Sequence, residues 1–297
     1  MQPTPLPPAF RGRPFSTADA VRSGVARQRL RRADLAAPFH GVRMPAAPDP
    51  SVIDRCRAYA TRMPRTHAFT GPTAALLWAL PIPIRLRDDP SLHVIDLAGR
   101  RAPRGRLVTG SRTSRPVDTT MLHGLRVLGP ASTWASLAGM MSLDDLVAAG
   151  DRLLGLPVPL AEAADIDAVV EDWGARRGVR QLREAAALIR PDVFSPRETR
   201  TRLLIMRSGP PCSEPEPNGE ITLHHGGRTR GDLVFRRESV VVEYEGEHHL
   251  TDPVQWARDL ERYNDLALSG WLVIRLSRKM RDDEIVGRVA AALRNRR

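Results

Sequence analysis

Three acidic residues in the last third of the chain have types and spacing suited to chemistry. Asp232 opens the apolar run Leu233-Val234-Phe235, and Glu243 and Glu245 close the run Val240-Val241-Val242. Successive side chains of a strand point to opposite faces, so positions two apart share one. Glu243 and Glu245 therefore face the same way, with Tyr244 opposed, and a hairpin through Arg236-Arg237-Glu238 brings Asp232 beside them. An ionised carboxylate is costly to bury unless it is paired or bound to a metal, and three on one face repel each other without a cation. Hard oxygen donors of this kind suit Mg²⁺ (or Mn²⁺), kept partly hydrated and shared with a phosphate. The chemistry implied is hydrolysis of a phosphodiester by an activated water. The competing reading is ordinary ion pairing with Arg228, Arg230 or Arg236.

The elements around these acids follow from the same stretch. Ser195-Pro196-Arg197-Glu198 is a helix start, with serine as cap, proline in the first turn and glutamate at the third helical position. The helix is expected to reach about Arg207, followed by a Pro/Glu-rich loop over 209–218. Strands are predicted at 221–224, 231–235 and 239–245, a helix at 254–268, a strand at 271–276 and a closing helix at 282–293. The order is α-β-β-β-α-β-α, and the Val-rich run suits a strand covered on both faces.

Upstream, residues 1–10 are proline-rich and read as a flexible arm. Residues 11–48 hold a short helix over 15–25, a basic helix over 26–33 and a strand near 39–45, the pattern of a winged-helix-like DNA-binding region. Residues 49–190 read as a mixed α/β middle region. It has helices at 51–63 and 71–80, β-like runs at 92–95, 106–109 and 125–128, and four helices between 132 and 189. The expected fold class is α+β overall, with a separate C-terminal α/β domain over 191–297.

Composition narrows the partners. The chain has 297 residues with 45 Lys+Arg against 34 Asp+Glu, a formal charge of +11, and Lys279 is its only lysine. Residues 1–120 carry 20 basic and 8 acidic residues, a net of +12, while 121–190 and 191–297 stand at −2 and +1. An excess so placed points to a polyanion, with DNA first, held by the first part of the chain. Arg22, Arg27, Arg29, Arg31 and Arg32 cluster there and suit phosphates and guanine edges. The 42% hydrophobic share excludes wholesale disorder. No apolar run reaches the ~18–20 residues that span a bilayer, so no membrane partner is expected. Cys56 and Cys212 are too few for a disulfide framework or a thiolate metal site. With no charged-then-apolar leader at residues 1–5, a reducing cytoplasm is the expected location.

Two resemblances add to this. Asp232-Leu-Val-Phe, Val-Val-Glu243-Tyr-Glu245-Gly246-Glu-His248-His249, Gln255-Trp256-Ala-Arg258-Asp259 and Gly270-Trp271-Leu-Val-Ile-Arg275 together resemble the very-short-patch-repair (Vsr-like) branch of the PD-(D/E)xK endonucleases. That resemblance covers 195–295 and implies a restriction-endonuclease-like core. It makes Asp232 and Glu243 metal-binding carboxylates, completed by Glu198 on the first helix. Glu245 stands where the superfamily has lysine, His248 is the family histidine, and Arg258 is a candidate for the missing positive charge. Residues 15–190 resemble the AbiEi-like abortive-infection antitoxins, through Phe15-Ser-Thr-Ala…Gly24-Val25, His40-Gly41-Val42-Arg43, Thr70-Gly-Pro-Thr-Ala-Ala75 and Gly129-Pro-Ala-Ser-Thr-Trp134. It implies a winged-helix DNA reader and a cognate toxin protein as partner. The expected function is a metal-dependent DNA endonuclease guided by its N-terminal region. The alternative is an antitoxin-like transcriptional regulator whose nuclease fold no longer cuts.

Overall fold

Two compact units divide the chain, Met1–Met141 and Ser142–Arg297. The computed structural model describes residues 4–155, 158–208, 213–245 and 253–296, and of Glu245 and 253–256 the backbone alone. Eleven α-helices and three sheets among these residues make the chain α+β. No described helix is long and apolar enough to cross a membrane.

In the first unit, β1 (Phe15–Ser16) runs straight into α1 (Thr17–Arg22). Ser16 caps that helix, its hydroxyl accepting from the N–H groups of Ala18 and Asp19. Gly24, at φ +85°, then turns the chain away. The expected basic helix over 26–33 does not form, and the segment makes a single 3₁₀ turn at Arg29–Arg31. Leu30 is its only large apolar side chain, too little for the stripe that docks a helix. Leu30 instead packs with Phe10, Phe15, Ala20 and Val25. The expected loose arm is likewise docked: Leu6 and Phe10 are buried in the same cluster, and Arg29 reaches the Thr4 carbonyl. β2 (Leu35–Ala36) and β3 (Val42–Pro45) complete an antiparallel sheet of order β1-β3-β2.

There follow α2 (Val52–Ala60), β4 (His67–Phe69), α3 (Gly71–Leu77), α4 (Ile84–Arg87), β5 (Leu92–Asp96), β6 (Val108–Arg112), β7 (Thr119–Leu122), β8 (Leu125–Leu128) and α5 (Pro130–Ser136). The five strands form a mixed sheet of order β6-β5-β4-β8-β7, parallel at β5–β6 and β4–β8. Phe69, Leu92, Val94 and Val127 pack against Cys56, Tyr59, Ala74 and Leu77 of α2 and α3. β4 and β7 were not expected, since three or four residues, half of them polar, give no clear alternation.

The second unit begins with α6 (Leu143–Leu154), α7 (Ala163–Trp173) and α8 (Val179–Leu188), then α9 (Pro196–Ser208). The domain boundary expected at 190/191 thus lies at 141/142. The cause is α6, which binds α9 directly. Arg202 meets Asp151 at 3.1 Å with both side chains 1% exposed, and the Thr199 hydroxyl donates to the same carboxylate at 2.7 Å. Arg200–Asp145 and Arg207–Asp144 extend the contact at the surface.

β9 (Glu216–Thr222), β10 (Arg228–Phe235), β11 (Val240–Glu245), α10 (Pro253–Leu268), β12 (Leu272–Ser277) and α11 (Asp282–Arg294) follow α9, so the elements come in the order expected. The sheet runs β12-β11-β10-β9, with β11–β12 its parallel pair. Leu233, Phe235, Val240 and Val242 pack against Ile205 of α9 and Ile285, Val289 and Leu293 of α11. Val234, Val241 and Ile221 pack on the other face, against Leu266 and Tyr263 of α10. β9 starts earlier than expected and includes Pro217 and Gly219, which an edge strand accommodates because its outer N–H groups need no ladder partner.

Candidate carboxylate site

Leu233 pairs with Val242 and Val234 with Val241, so the next step of the register sets Asp232 opposite Glu243. Two positions from Val234 and Val241, both acids lie on the face that α10 covers. The predicted meeting of these two carboxylates is therefore what the hairpin produces. Glu245 lies in β11 opposite Ser277, but its side chain is outside the described residues, and so is His248. Among the described residues no three His, Cys, Asp or Glu side chains form a group that would hold a metal. Two of the three expected acids are thus brought together, and the side chain of the third lies outside the described residues.

Electrostatics at the pair are unfavourable to ionisation. Glu243 is 7% exposed. Burial first, then the charge of Asp232 and more weakly that of Glu198, pushes its carboxyl up to about 7, against the pull of Arg262. Burial also raises Asp232, opposed by the Tyr244 N–H and Arg262. Among the described residues, one oxygen of each carboxylate takes a hydrogen bond. Asp232 Oδ2 accepts from the Tyr244 N–H at 2.7 Å, and Glu243 Oε1 from Arg262 Nη2 at 2.6 Å. A Cβ at Gly231 would lie 2.6 Å from Val241 Cγ1 and 3.1 Å from Val234 Cγ2, so glycine leaves the room these strand side chains need beside Glu243.

Glu198 is placed by its helix start. It accepts from the Ser195 hydroxyl at 2.8 Å through Oε1, and its own N–H donates back to that hydroxyl. Its Oε2 accepts from the Phe194 N–H at 3.1 Å and from Asn218 Nδ2 at 2.7 Å. Burial raises its carboxyl, and the charge of Asp232 adds to that. Glu198 thus stands within electrostatic reach of the pair with both oxygens engaged as a cap and a tie to β9.

Arg258 is exposed on α10 and makes no contact with the acids, so the positive charge expected from it comes instead from Arg262, one helical turn on. Arg262 Nε also donates to Thr229 Oγ1 at 2.8 Å, which fixes the guanidinium over the strand. The signal was available in the sequence: residues four apart on a helix share a face. Of the arginines weighed as ordinary partners, Arg228 pairs with Glu220 at 3.0 Å and Arg236 with Glu216. Both serve β9 rather than the acids.

The N-terminal arginines separate into two kinds. Arg29, with its side chain 11% exposed, pairs with Asp34 at 2.7 Å and ties down the Thr4 carbonyl, so its guanidinium is engaged in packing. Arg22, Arg27, Arg31 and Arg32 are exposed, with Arg22 paired to Asp19 one turn back. Arg22, Arg27 and Arg31 line a cleft of about 870 Å³ together with His40, Arg43 and Arg106. No protein-family model matches the chain, and no curated protein matches it.

Proposed function

We propose that the chain is a metal-dependent DNA endonuclease of restriction-endonuclease-like fold, with an arginine-rich N-terminal region that holds DNA. One observation supports this reading above the rest. Two buried carboxylates stand opposite each other on paired strands, and among the described residues each accepts a hydrogen bond through one oxygen only and one guanidinium reaches the pair. Such a pair is short of positive charge, and its oxygens suit a hard divalent ion. The Vsr-like residue series around Asp232 and Glu243 points the same way.

Asp232 and Glu243 would hold Mg²⁺ or Mn²⁺, with Glu198 close enough to add to the field. When bound, the ion would supply charge neutralisation at the phosphodiester and an acidified water. The Tyr244 N–H fixes Asp232 through one oxygen and leaves the other for a ligand. Arg262 holds Glu243 in place, and its planar guanidinium suits a phosphate drawn to the same spot. Glu245, at the end of the same strand, and His248, which lies outside the described residues, complete the proposed set. The test is cleavage of duplex DNA with Mg²⁺ or Mn²⁺. Wild type is expected to cut and Asp232→Ala and Glu243→Ala to fail; equal cutting by all three removes the proposal.

The Arg262–Glu243 pair favours one second reading. A resident guanidinium can replace the metal for good, leaving an antitoxin-like DNA-binding regulator with a cognate toxin as partner. That reading expects sequence-specific DNA binding that depends on Arg27 and Arg31 and is indifferent to Asp232. Restoration of metal-dependent cutting is then absent even in Arg262→Ala.

A further inference from the structure

We propose that the first unit carries a second DNA-contacting surface, an arginine track along β6 and the connection that precedes it, made for the phosphate backbone of duplex DNA. From Leu97 to Val117 the chain has six arginines and no acid. Arg100, Arg101, Arg104, Arg106 and Arg112 are all exposed, and among the described residues none of these five is ion-paired. Of the acids flanking this run, Asp96 is buried and spent on the N–H groups of Ala98 and Arg100, and exposed Asp118 is paired with none of the five among the described residues.

The fold joins these residues into one line. β6 is an edge strand, so its outer side is open. Arg112 donates to the Arg100 carbonyl at 2.8 Å, which closes the connection onto the far end of the strand. At the near end, Arg106 lines the cleft that also holds Arg22, Arg27 and Arg31. β6 itself, from Val108 to Arg112, covers about 13 Å, the rise of roughly four base pairs, and Arg106 sits in the turn just before it. The track therefore prolongs the N-terminal arginine cluster rather than standing apart from it.

Its composition selects the partner. One or two charges suffice to keep an edge strand from pairing with another chain, and this run continues well beyond the strand. There is no aromatic residue from Leu97 to Val117, whereas single-stranded nucleic acid is gripped by stacking. Protein interfaces centre on aromatic and apolar anchors, and membrane surfaces need an apolar face to insert; the track has neither. Exposed guanidinium groups with no acid among them suit the phosphates of a duplex, through release of its counterions.

This inference rests on the nucleic-acid reading for its choice of partner and not on cleavage. The experiment is fluorescence anisotropy of the full chain with a labelled random-sequence DNA duplex, without divalent ions, over a salt titration. Arg104→Ser/Arg106→Ser is compared with Arg180→Ser/Arg183→Ser, an exposed pair on α8 that lowers net charge equally. The track variant is expected to reduce the slope of log K against log salt by about 1.8, or ~0.9 per phosphate contact. The α8 variant is expected to keep the wild-type slope. Equal slopes in all three proteins, or equal losses in both variants, overturn the track. Stronger Arg104/Arg106-dependent binding of single-stranded DNA than of duplex overturns the choice of partner. A track that behaves as expected in a protein whose Asp232→Ala variant cuts as well as wild type leaves this inference standing and removes the nuclease.

Discussion

Two buried acidic sites in the second unit solve the same problem differently. At Asp151 both oxygens are met from within the protein, Oδ1 by the Arg190 N–H at 2.8 Å and Oδ2 by Thr199 and Arg202. Burial still raises that carboxyl, with Arg202 first among the groups that pull it back. At Asp232 and Glu243, among the described residues, two acids share one arginine and each accepts a hydrogen bond through one oxygen only. The first arrangement is a lock between α6 and α9, complete without any ligand. The second, among the described residues, has fewer partners than oxygens, which is what the proposed metal site requires. Burial of an acid alone therefore does not mark a candidate site; the number of partners its oxygens find is what separates these two.

The sharpest break between the two sites is expected in catalysis. Glu243→Gln keeps the shape and removes the charge, and should lower metal-dependent cleavage by roughly 10³-fold, the worth of several kcal/mol of charge stabilisation. A single-turnover cleavage assay measures it. In stability the order reverses. Asp151→Ala strands the Arg202 guanidinium in the interior and should cost about 3–5 kcal/mol in denaturant unfolding. Asp151→Ala/Arg202→Met should recover much of that loss, because no buried charge is then unpaired.

The pH dependence separates them further. Glu243 is held near 7 against an ordinary 4.5, so the fold prefers its protonated form. The associated stability is full below the ordinary value and is lost as pH rises through about 7, a difference of about 3 kcal/mol. Thermal melts of wild type should therefore weaken across that window, and Glu243→Gln should flatten the change. Added Mg²⁺ should restore stability above the window and do nothing below it, since the ion needs the ionised acid. The smallest effect belongs to Arg22, whose pairing with Asp19 is exposed on both sides. Arg22→Ala should move stability by no more than about 0.5 kcal/mol, while lowering the salt slope of DNA binding by ~0.9. Paired melting and anisotropy measurements check both halves.

The sequence made the second unit's elements readable because their signals are local. A Ser-Pro-x-Glu helix start, a Val-rich covered strand and carboxylates two apart each declare themselves within a few residues. The same locality misled in the first unit, where Ala26–Ala33 has good helix formers but only Leu30 to dock. Tertiary packing withheld the helix and bound Arg29 to Asp34 instead. The shift of the unit boundary to 141/142 was invisible for a related reason: Asp151 and Arg202 look like ordinary surface residues until α6 and α9 are packed together.

Residue order alone determined the α-β-β-β-α-β-α succession, the common face of Asp232 and Glu243, and the concentration of positive charge in the first 120 residues. These follow from backbone periodicity and counting. Only the tertiary structure decided which charges meet. It chose Arg262 over Arg258 for Glu243, engaged both oxygens of Glu198, and aligned Arg106 with a cleft formed by residues far away in sequence. An ion pair depends on a few ångströms between side chains brought together by packing, and that distance is not written in the spacing of residues along the chain.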